Sequence, residues 1–169
     1  MIVECQLYKL SAKFIIDYPS NLYPELLSKE DRPHYCILVE THCDYFLCIP
    51  FRSNIEHNNA FKFKNTLRSQ TSQSGLDYSK MVILKDTNYL DDSNIVIDKD
   101  EYKTTIKCYT KIANQAIKYL EKYINHIQGT HILNSKEYDR LYKYSTLPYF
   151  HNILNLPVIH SVNKILTVI

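Results

Sequence analysis

Five residues in the N-terminal half of the chain have side chains suited to chemistry on a phosphodiester. Arg32 and His34 precede an apolar run, and Arg52, Ser53 and His57 follow the next one. Guanidinium groups and a serine hydroxyl suit the non-bridging oxygens of a phosphate. An imidazole can give or take a proton near neutral pH. Few acidic residues lie nearby in the sequence, so the set predicts an anion site, most directly for a phosphodiester.

The reaction that best suits this set is RNA cleavage, because RNA supplies its own nucleophile, the 2′-hydroxyl. The enzyme then has to remove one proton, return one to the leaving 5′-oxygen and stabilise charge on phosphorus oxygens. Which side chain acts as base and which as acid stays open. The same residues also fit a simpler interpretation, in which Arg52 and Ser53 form an ordinary turn and His57 is a surface histidine.

Other chemistries lack their sequence patterns. The seven histidines and five cysteines show no recognisable spacing of metal ligands. Two glycines, Gly75 and Gly129, cannot build a phosphate-binding loop. The nucleophile elbow of a Ser-His-Asp hydrolase is missing as well. We therefore expect neither a metal nor a cofactor.

A predicted β-hairpin positions the five candidate residues. Residues 35–39 and 45–49 are apolar runs of strand length, and residues 40–44 join them as a short polar link. In an antiparallel pair, the start of one strand lies beside the end of the next. Arg32 and His34 should therefore lie near Arg52, Ser53 and His57. Pro50 has no N–H to donate, so it is predicted to end the second strand.

Further strands and a loop are predicted around this hairpin. Residues 2–10 alternate in polarity and should add a strand to the same sheet. Residues 60–64 place phenylalanines on one strand face and Lys62 and Lys64 on the other, where the lysines either hold successive phosphates or form a solvated face. Residues 65–75 are typical of a flexible loop with Arg68 as its only charge. Residues 81–84 should form a buried strand, and residues 94–97 another short one.

The longest predicted element is a helix that runs to Ile127. Asp98 precedes Glu101 by three residues, as in a capping box, and apolar residues then recur at steps of three and four until Gly129 ends the helix. Its opposite face carries a lysine stripe that either meets RNA or is merely solvated. A second helix is expected over residues 135–144. Residues 13–27 should form an irregular connection with a short helical turn around residues 24–27, and short helical pieces are expected in 147–169. The candidate RNA-binding residues are Lys62, Lys64, Arg68, Lys80, Lys107 and Lys111.

Length and composition set broad limits on the class of protein. A chain of 169 residues is long enough for one domain with a real core. A net charge of +2 neither demands nor excludes a nucleic-acid partner. Five cysteines without a C-x-x-C pair indicate a reducing compartment. The sequence shows no signal peptide and no apolar stretch of membrane-spanning length, which predicts a cytoplasmic protein without a membrane partner.

Several stretches resemble a known family of toxins. They are Y-C-I-L-V-E, Y-F-L-C-I-P-F-R-S-N-I-E-H-N-N-A-F, G-L-D-Y-S-K-M-V-I-L-K-D and the long amphipathic helix. Together they resemble the toxins of type III toxin–antitoxin systems, the ToxN, AbiQ, CptN and TenpN proteins. The R-P-H-Y and G-L-D-Y-S-K forms look most like the TenpN branch. The likeness runs from about Arg32 to Ile127.

The resemblance implies both a fold and an activity. The fold would be α+β, a single domain over residues 1–169 with a compact curved antiparallel β-sheet or barrel of MazF/Kid type, a long helix and C-terminal helices. The activity would be that of a metal-independent, sequence-specific endoribonuclease that cuts mRNA and leaves 2′,3′-cyclic phosphate and 5′-hydroxyl ends. A small structured RNA of tandem repeats, expected to be a pseudoknot, would be the antitoxin. The toxin would process this RNA and be inhibited by it in a closed protein–RNA assembly, with a role in antiviral defence by abortive infection.

The resemblance also assigns residues. The serine or threonine that follows the second hairpin strand in the family falls on Ser53, and the basic residue before the first strand falls on Arg32. ToxN has a threonine before the serine and a lysine two residues after it, where this chain has Arg52 and Ile55. Arg52 or His57 is then expected to replace that cation. Two alternatives remain, namely an RNA-binding module without catalysis and a MazF-like ribonuclease neutralised by a protein.

Overall fold

The computed structural model describes residues 6–26 and 34–158. They form an α+β fold in which a long helix packs against an antiparallel sheet. The described strands are β1 (Leu7–Leu10), β2 (Tyr35–Glu40), β3 (Phe46–Arg52), β4 (Ala60–Lys62), β5 (Gly75–Asp77), β6 (Val82–Leu84) and β7 (Leu90–Asp91). The α-helices are α1 (Ala12–Asp17), α2 (Leu67–Ser72), α3 (Lys99–Ile127) and α4 (Ser135–Tyr142). Single 3₁₀ turns cover Pro24–Leu26, Tyr78–Lys80, Thr87–Tyr89 and Leu147–Phe150.

The sheet is open rather than closed into a barrel. The seven described strands are ordered β4-β5-β3-β2-β1-β7, and β6 pairs with a separate part of β3. The predicted α+β class, the antiparallel sheet and the long helix are confirmed, whereas the barrel alternative is wrong. Of the predicted first strand, residues 7–10 pair with β2 as expected, and residues 1–5 lie outside the described residues.

The β2–β3 hairpin is confirmed, with Cys36 opposite Pro50 and Glu40 opposite Phe46. The prediction that Pro50 ends the second strand is wrong, because β3 continues to Arg52. The physical reason is that the side of β3 that faces away from β2 pairs with two different strands. Residues 46–48 pair with β6 and residues 51–52 pair with β5. Pro50 falls between these two segments, so its missing N–H leaves no ladder bond unmade there.

Two short helices appear where irregular chain was predicted. α1 begins after Ser11, whose hydroxyl accepts a hydrogen bond from the Phe14 N–H. α2 lies within the predicted loop 65–75, and Thr66 and Ser69 form a reciprocal capping box at its start. The predicted strand over residues 94–97 is not observed, and β7 lies a few residues earlier. The 3₁₀ turn Pro24–Leu26 agrees with the helical turn expected around residues 24–27. The turn Leu147–Phe150 agrees with the short helical pieces expected in 147–169, of which residues 159–169 lie outside the described residues.

α3 begins and ends close to the predicted positions, with Gly129 at a φ of 75° just beyond its end. The predicted capping box does not form, because Asp98 makes no side-chain cap hydrogen bond. Glu101 is buried and contacts Arg68 and Ser74 instead. No helix within the described residues combines the length and apolarity needed to cross a bilayer. α4 confirms the second predicted helix.

The main core lies between the sheet, α3 and the segment that follows α4. Its fully buried side chains include Ile37, Leu47, Ile49, Leu76, Ile83, Ile112, Ala116, Tyr123 and Phe150. Tyr123 and Tyr142 pack edge to face, with ring centroids 5.1 Å apart. Four of the fifteen tyrosines, Tyr119, Tyr123, Tyr138 and Tyr142, pack their rings together between α3 and α4.

Gly75 permits the close approach of β4 to β5. A Cβ atom at this position would overlap with the backbone carbonyl oxygen of Phe61. Because backbone atoms cannot move aside cheaply, we expect Gly75→Ala to lower the free energy of unfolding by about 2 kcal/mol or more. Urea denaturation would measure this loss. Alanine in place of the exposed Ser93 is the matched control, and an unchanged stability of Gly75→Ala would contradict the expectation.

Candidate active site

The end of β3, its following loop, β5 and the 3₁₀ turn Tyr78–Lys80 bring four polar side chains together. Arg52 pairs with Gly75 across the β3–β5 ladder, and Asp77 lies two residues further along β5. The Arg52 Nη1 atom donates to Asp77 Oδ2 at 2.8 Å, and His57 Nε2 lies 3.3 Å from the same oxygen. The Ser79 hydroxyl donates to Asp77 Oδ1 at 2.7 Å and lies 3.3 Å from His57 Nε2. We call Arg52, His57, Asp77 and Ser79 the polar cluster.

Asp77 is the centre of the polar cluster. Its side chain is completely buried, whereas those of Arg52 and His57 are 29% and 37% exposed. Burial alone would raise the pKa of Asp77, but hydrogen bonds from His57 and Ser79 and the positive charge of Arg52 outweigh it. The pKa therefore lies below its ordinary value of 3.8. Asp77 is a carboxylate at neutral pH, and it holds the two exposed groups in place.

A hydrogen bond from the backbone fixes the tautomer of the neutral His57 ring. The Asn59 N–H donates to His57 Nδ1 at 3.1 Å, so Nδ1 is an acceptor and a neutral ring carries its proton on Nε2. The Asn59 side chain in turn donates to the carbonyls of Arg140 and Leu141, which ties this loop to the end of α4. The Nε2 contacts at 3.3 Å are longer than an ordinary N–H···O hydrogen bond. Both contacts of Nε2 are therefore weaker than ordinary hydrogen bonds.

A second buried network holds the loop after β3. Glu101 is 1% exposed and accepts hydrogen bonds from both Arg68 and Ser74. These bonds anchor α2 to the first turn of α3. The carbonyls of Ser72 and Gln73, at the end of α2, accept hydrogen bonds from Asn54 and Ile55. The backbone directly after Ser53 is thereby held in place, with Asn54 in the left-handed region at a φ of 56°.

The structure places the predicted site residues unequally. Arg52 and His57 meet in the polar cluster, and Ser53 follows Arg52 directly, half-buried and with no hydrogen-bond partner among the described residues. His34 lies just before β2, whose start pairs with the end of β3, so it lies at the same end of the β2–β3 hairpin as Arg52. Arg32 lies outside the described residues.

The six candidate RNA-binding residues also differ. Lys64, Lys107 and Lys111 are exposed, and Lys62 is half-buried on the same sheet face as Arg52, since both lie opposite Gly75. Lys80 is only 8% exposed, and its ammonium group contacts Glu25 and the Tyr144 carbonyl. Arg68 is engaged by Glu101. Lys80 and Arg68 therefore stabilise the fold in this structure rather than extend a free basic surface.

Asp77 and Ser79 are functional candidates that the reasoning from individual residues missed. The sequence does contain one signal, an acidic residue inside the run G-L-D-Y-S-K that precedes an apolar strand. A charge there must be partnered if the run is buried. Within residues 6–26 and 34–158, no group of three or more histidine, cysteine and acidic side chains is placed to hold a metal ion.

Comparison of the chain with models of protein families, with curated proteins and with solved structures finds no match.

Proposed function

We propose that this chain is a metal-independent endoribonuclease and the toxin of a type III toxin–antitoxin system. The observation that carries the proposal is the polar cluster, in which Arg52 and His57 meet over the buried carboxylate of Asp77. The hydroxyl of Ser53, without a partner among the described residues, lies beside it in the chain. Cations, a proton carrier and a free hydroxyl are the groups that cleavage by the 2′-hydroxyl needs.

In the proposed reaction, the 2′-oxygen forms a bond to phosphorus and the bond from phosphorus to the 5′-oxygen breaks. One proton leaves the 2′-hydroxyl and one is delivered to the 5′-oxygen, with His57 serving one of these two transfers. Arg52 uses one N–H on Asp77 and keeps others for the non-bridging oxygens. Ser53 donates to the same phosphate. The products are a 2′,3′-cyclic phosphate and a 5′-hydroxyl.

A serine hydrolase is a poorer account of the same residues. In a catalytic triad, the serine and the acid contact different nitrogens of the histidine. Here Asp77 and Ser79 both approach Nε2 of His57, and Ser79 is only 5% exposed. Ser79 therefore serves to orient Asp77, and this arrangement fits a reaction in which the substrate supplies the nucleophile better than it fits a triad.

The partner in this proposal is a small structured RNA of tandem repeats, which the toxin processes and which inhibits it in a closed assembly in the cytoplasm. Support comes from the resemblance of residues 32–127 to the type III toxins. The order of elements over that range, a hairpin followed by short strands and a long helix, is consistent with it. A MazF-like fold with a protein antitoxin has less support, because the described sheet is open.

A second candidate function is RNA binding without cleavage, and one observation favours it. Both nitrogens of His57 already have protein partners, and Asp77 neutralises Arg52. If the cluster is only a structural ion pair, the exposed lysines would still bind RNA and no bond would break.

Cleavage of RNA by the purified protein, free of nucleic acid, decides between the two candidates. We expect a mixed single-stranded RNA to be cut in EDTA, with cyclic phosphate and 5′-hydroxyl ends identified by end-group mapping. Added repeat RNA should inhibit the cutting. Folded protein that binds this RNA and leaves it intact would establish the binding module instead. Cleavage that EDTA abolishes and magnesium restores would contradict the metal-independent mechanism.

A further inference from the structure

One side of α3 lines an open groove of about 650 Å³, distinct from the polar cluster. Its polar lining includes Lys107, Lys111, Asn114, Gln115 and Lys118. We call it the α3 groove. From Lys107 to Lys118 the helix rises by about 16 Å, which corresponds to several stacked nucleotides at about 3.4 Å each.

The charges of the α3 groove are not neutralised by the protein. Lys107, Lys111 and Lys118 are exposed and have no ion-pair partner among the described residues. Lysines four residues apart on one helix face repel each other by about 0.2–0.5 kcal/mol per pair. Elsewhere on α3, Lys122 does have a partner, since it contacts Glu137 at 2.7 Å. A stripe of unpaired lysines is complementary to a polyanion.

The α3 groove is connected directly to the polar cluster through Tyr78. This residue lies between Asp77 and Ser79, and its hydroxyl donates to Gln115 Oε1 at 2.7 Å. Burial raises the pKa of Tyr78, so the phenol remains a donor. Because Tyr78 occupies the amide oxygen, the NH₂ of Gln115, an exposed residue, is left for a ligand. Lys111 Nζ lies 5.9 Å from the ring centroid of Phe61, the neighbour of Lys62.

We propose that the α3 groove binds the single-stranded RNA that flanks the cleaved bond. Lys107, Lys111 and Lys118 contact backbone phosphates, and the Gln115 amide donates to an acceptor on a base. The lysines supply affinity without regard to sequence, whereas Gln115 contributes discrimination between bases. This inference rests on the proposed function, because it describes the substrate of the same site.

Salt dependence of binding tests the lysines. The probe is a short fluorescent single-stranded RNA with 2′-O-methyl sugars, which cannot be cleaved through the 2′-oxygen, and the readout is anisotropy over a range of salt concentrations. Each lost phosphate contact reduces the slope of log K against log salt by about 0.7 for a single strand. The groove variant replaces Lys107, Lys111 and Lys118 by glutamine, and its slope should therefore be smaller than that of wild type by about 2. The matched control makes the same change in net charge at exposed lysines outside the groove that also have no ion-pair partner among the described residues. It replaces Lys99, Lys136 and Lys143 by glutamine and should leave the slope unchanged.

Equal slopes for the groove variant and the control variant would overturn the proposal. Gln115→Leu tests the base contact separately. It should keep the wild-type salt slope and lower discrimination among homopolymer probes by up to about tenfold. Unchanged discrimination would remove Gln115 from the interface.

Cleavage assays on the same variants separate this inference from the proposed function. If the groove variant has a reduced salt slope but the wild-type protein does not cleave RNA, the α3 groove is an RNA-binding surface and the proposed ribonuclease activity is wrong. If the wild-type protein cleaves RNA but the groove variant keeps the wild-type salt slope, the ribonuclease activity is supported and the RNA-binding role of the α3 groove is wrong.

Discussion

Replacing His57 by alanine is expected to slow RNA cleavage by about 10²-fold or more, with little change in KM. General acid–base catalysis by a positioned side chain contributes about 10²–10⁴-fold, and His57 is the histidine of the polar cluster. Its ring is partly exposed and is oriented by the Asn59 N–H and Asp77. Single-turnover cleavage of a mixed RNA under saturating enzyme would measure the chemical step by itself.

His42→Ala is the matched control for this experiment. His42 is exposed in the link between β2 and β3, at the opposite end of the hairpin from Arg52. The His42→Ala variant should cleave RNA at the wild-type rate. Thermal unfolding of His57→Ala must show that the variant is folded. A folded His57→Ala protein that cleaves as fast as wild type would remove His57 from the mechanism. Ser53→Ala would then be the next variant to test, since its hydroxyl has no partner among the described residues.

Replacing Asp77 by alanine is expected to lower the free energy of unfolding by about 3 kcal/mol. Breaking a buried ion pair by removing one partner costs about 3–5 kcal/mol, and the partial exposure of Arg52 lowers that figure. The buried N–H and hydroxyl of Ser79 also lose their acceptors. Urea denaturation would measure the change. Asp92→Ala, at an exposed carboxylate, is the control and should stay close to wild type.

The same carboxylate predicts a dependence of stability on pH. Because the pKa of Asp77 is lowered in the folded protein, its ionised form contributes stability above the ordinary value of 3.8. This contribution is lost as the pH falls through the lower folded pKa. Other acidic residues have lowered pKa values too, so the informative quantity is the difference between wild type and Asp77→Asn. The difference should be largest above pH 3.8 and shrink below it, and a constant difference would contradict the role assigned to Asp77.

Local patterns in the sequence determined the elements around the site. Two apolar runs with a short polar link predicted the β2–β3 hairpin, and apolar residues at helical spacing predicted α3 with its end near Gly129. Both patterns depend on neighbours within a few residues, which is the range over which periodicity acts. The same apolar patterns do not predict α2, because this helix has no buried residue. A capping box and the contacts between Arg68 and Glu101 stabilise it instead.

Only the tertiary structure decided what surrounds the candidate residues. Asp77 reaches Arg52 because β5 pairs with the last residues of β3, and strand order across a sheet is not encoded in the periodicity of either strand. Lys80 is buried because Glu25 and the Tyr144 carbonyl, both distant in sequence, lie beside its ammonium group. Glu101 has the sequence position of a capping residue and instead binds Arg68 and Ser74. The sequence therefore determined which groups are present at the hairpin end, and long-range packing determined which of them are free to meet a substrate.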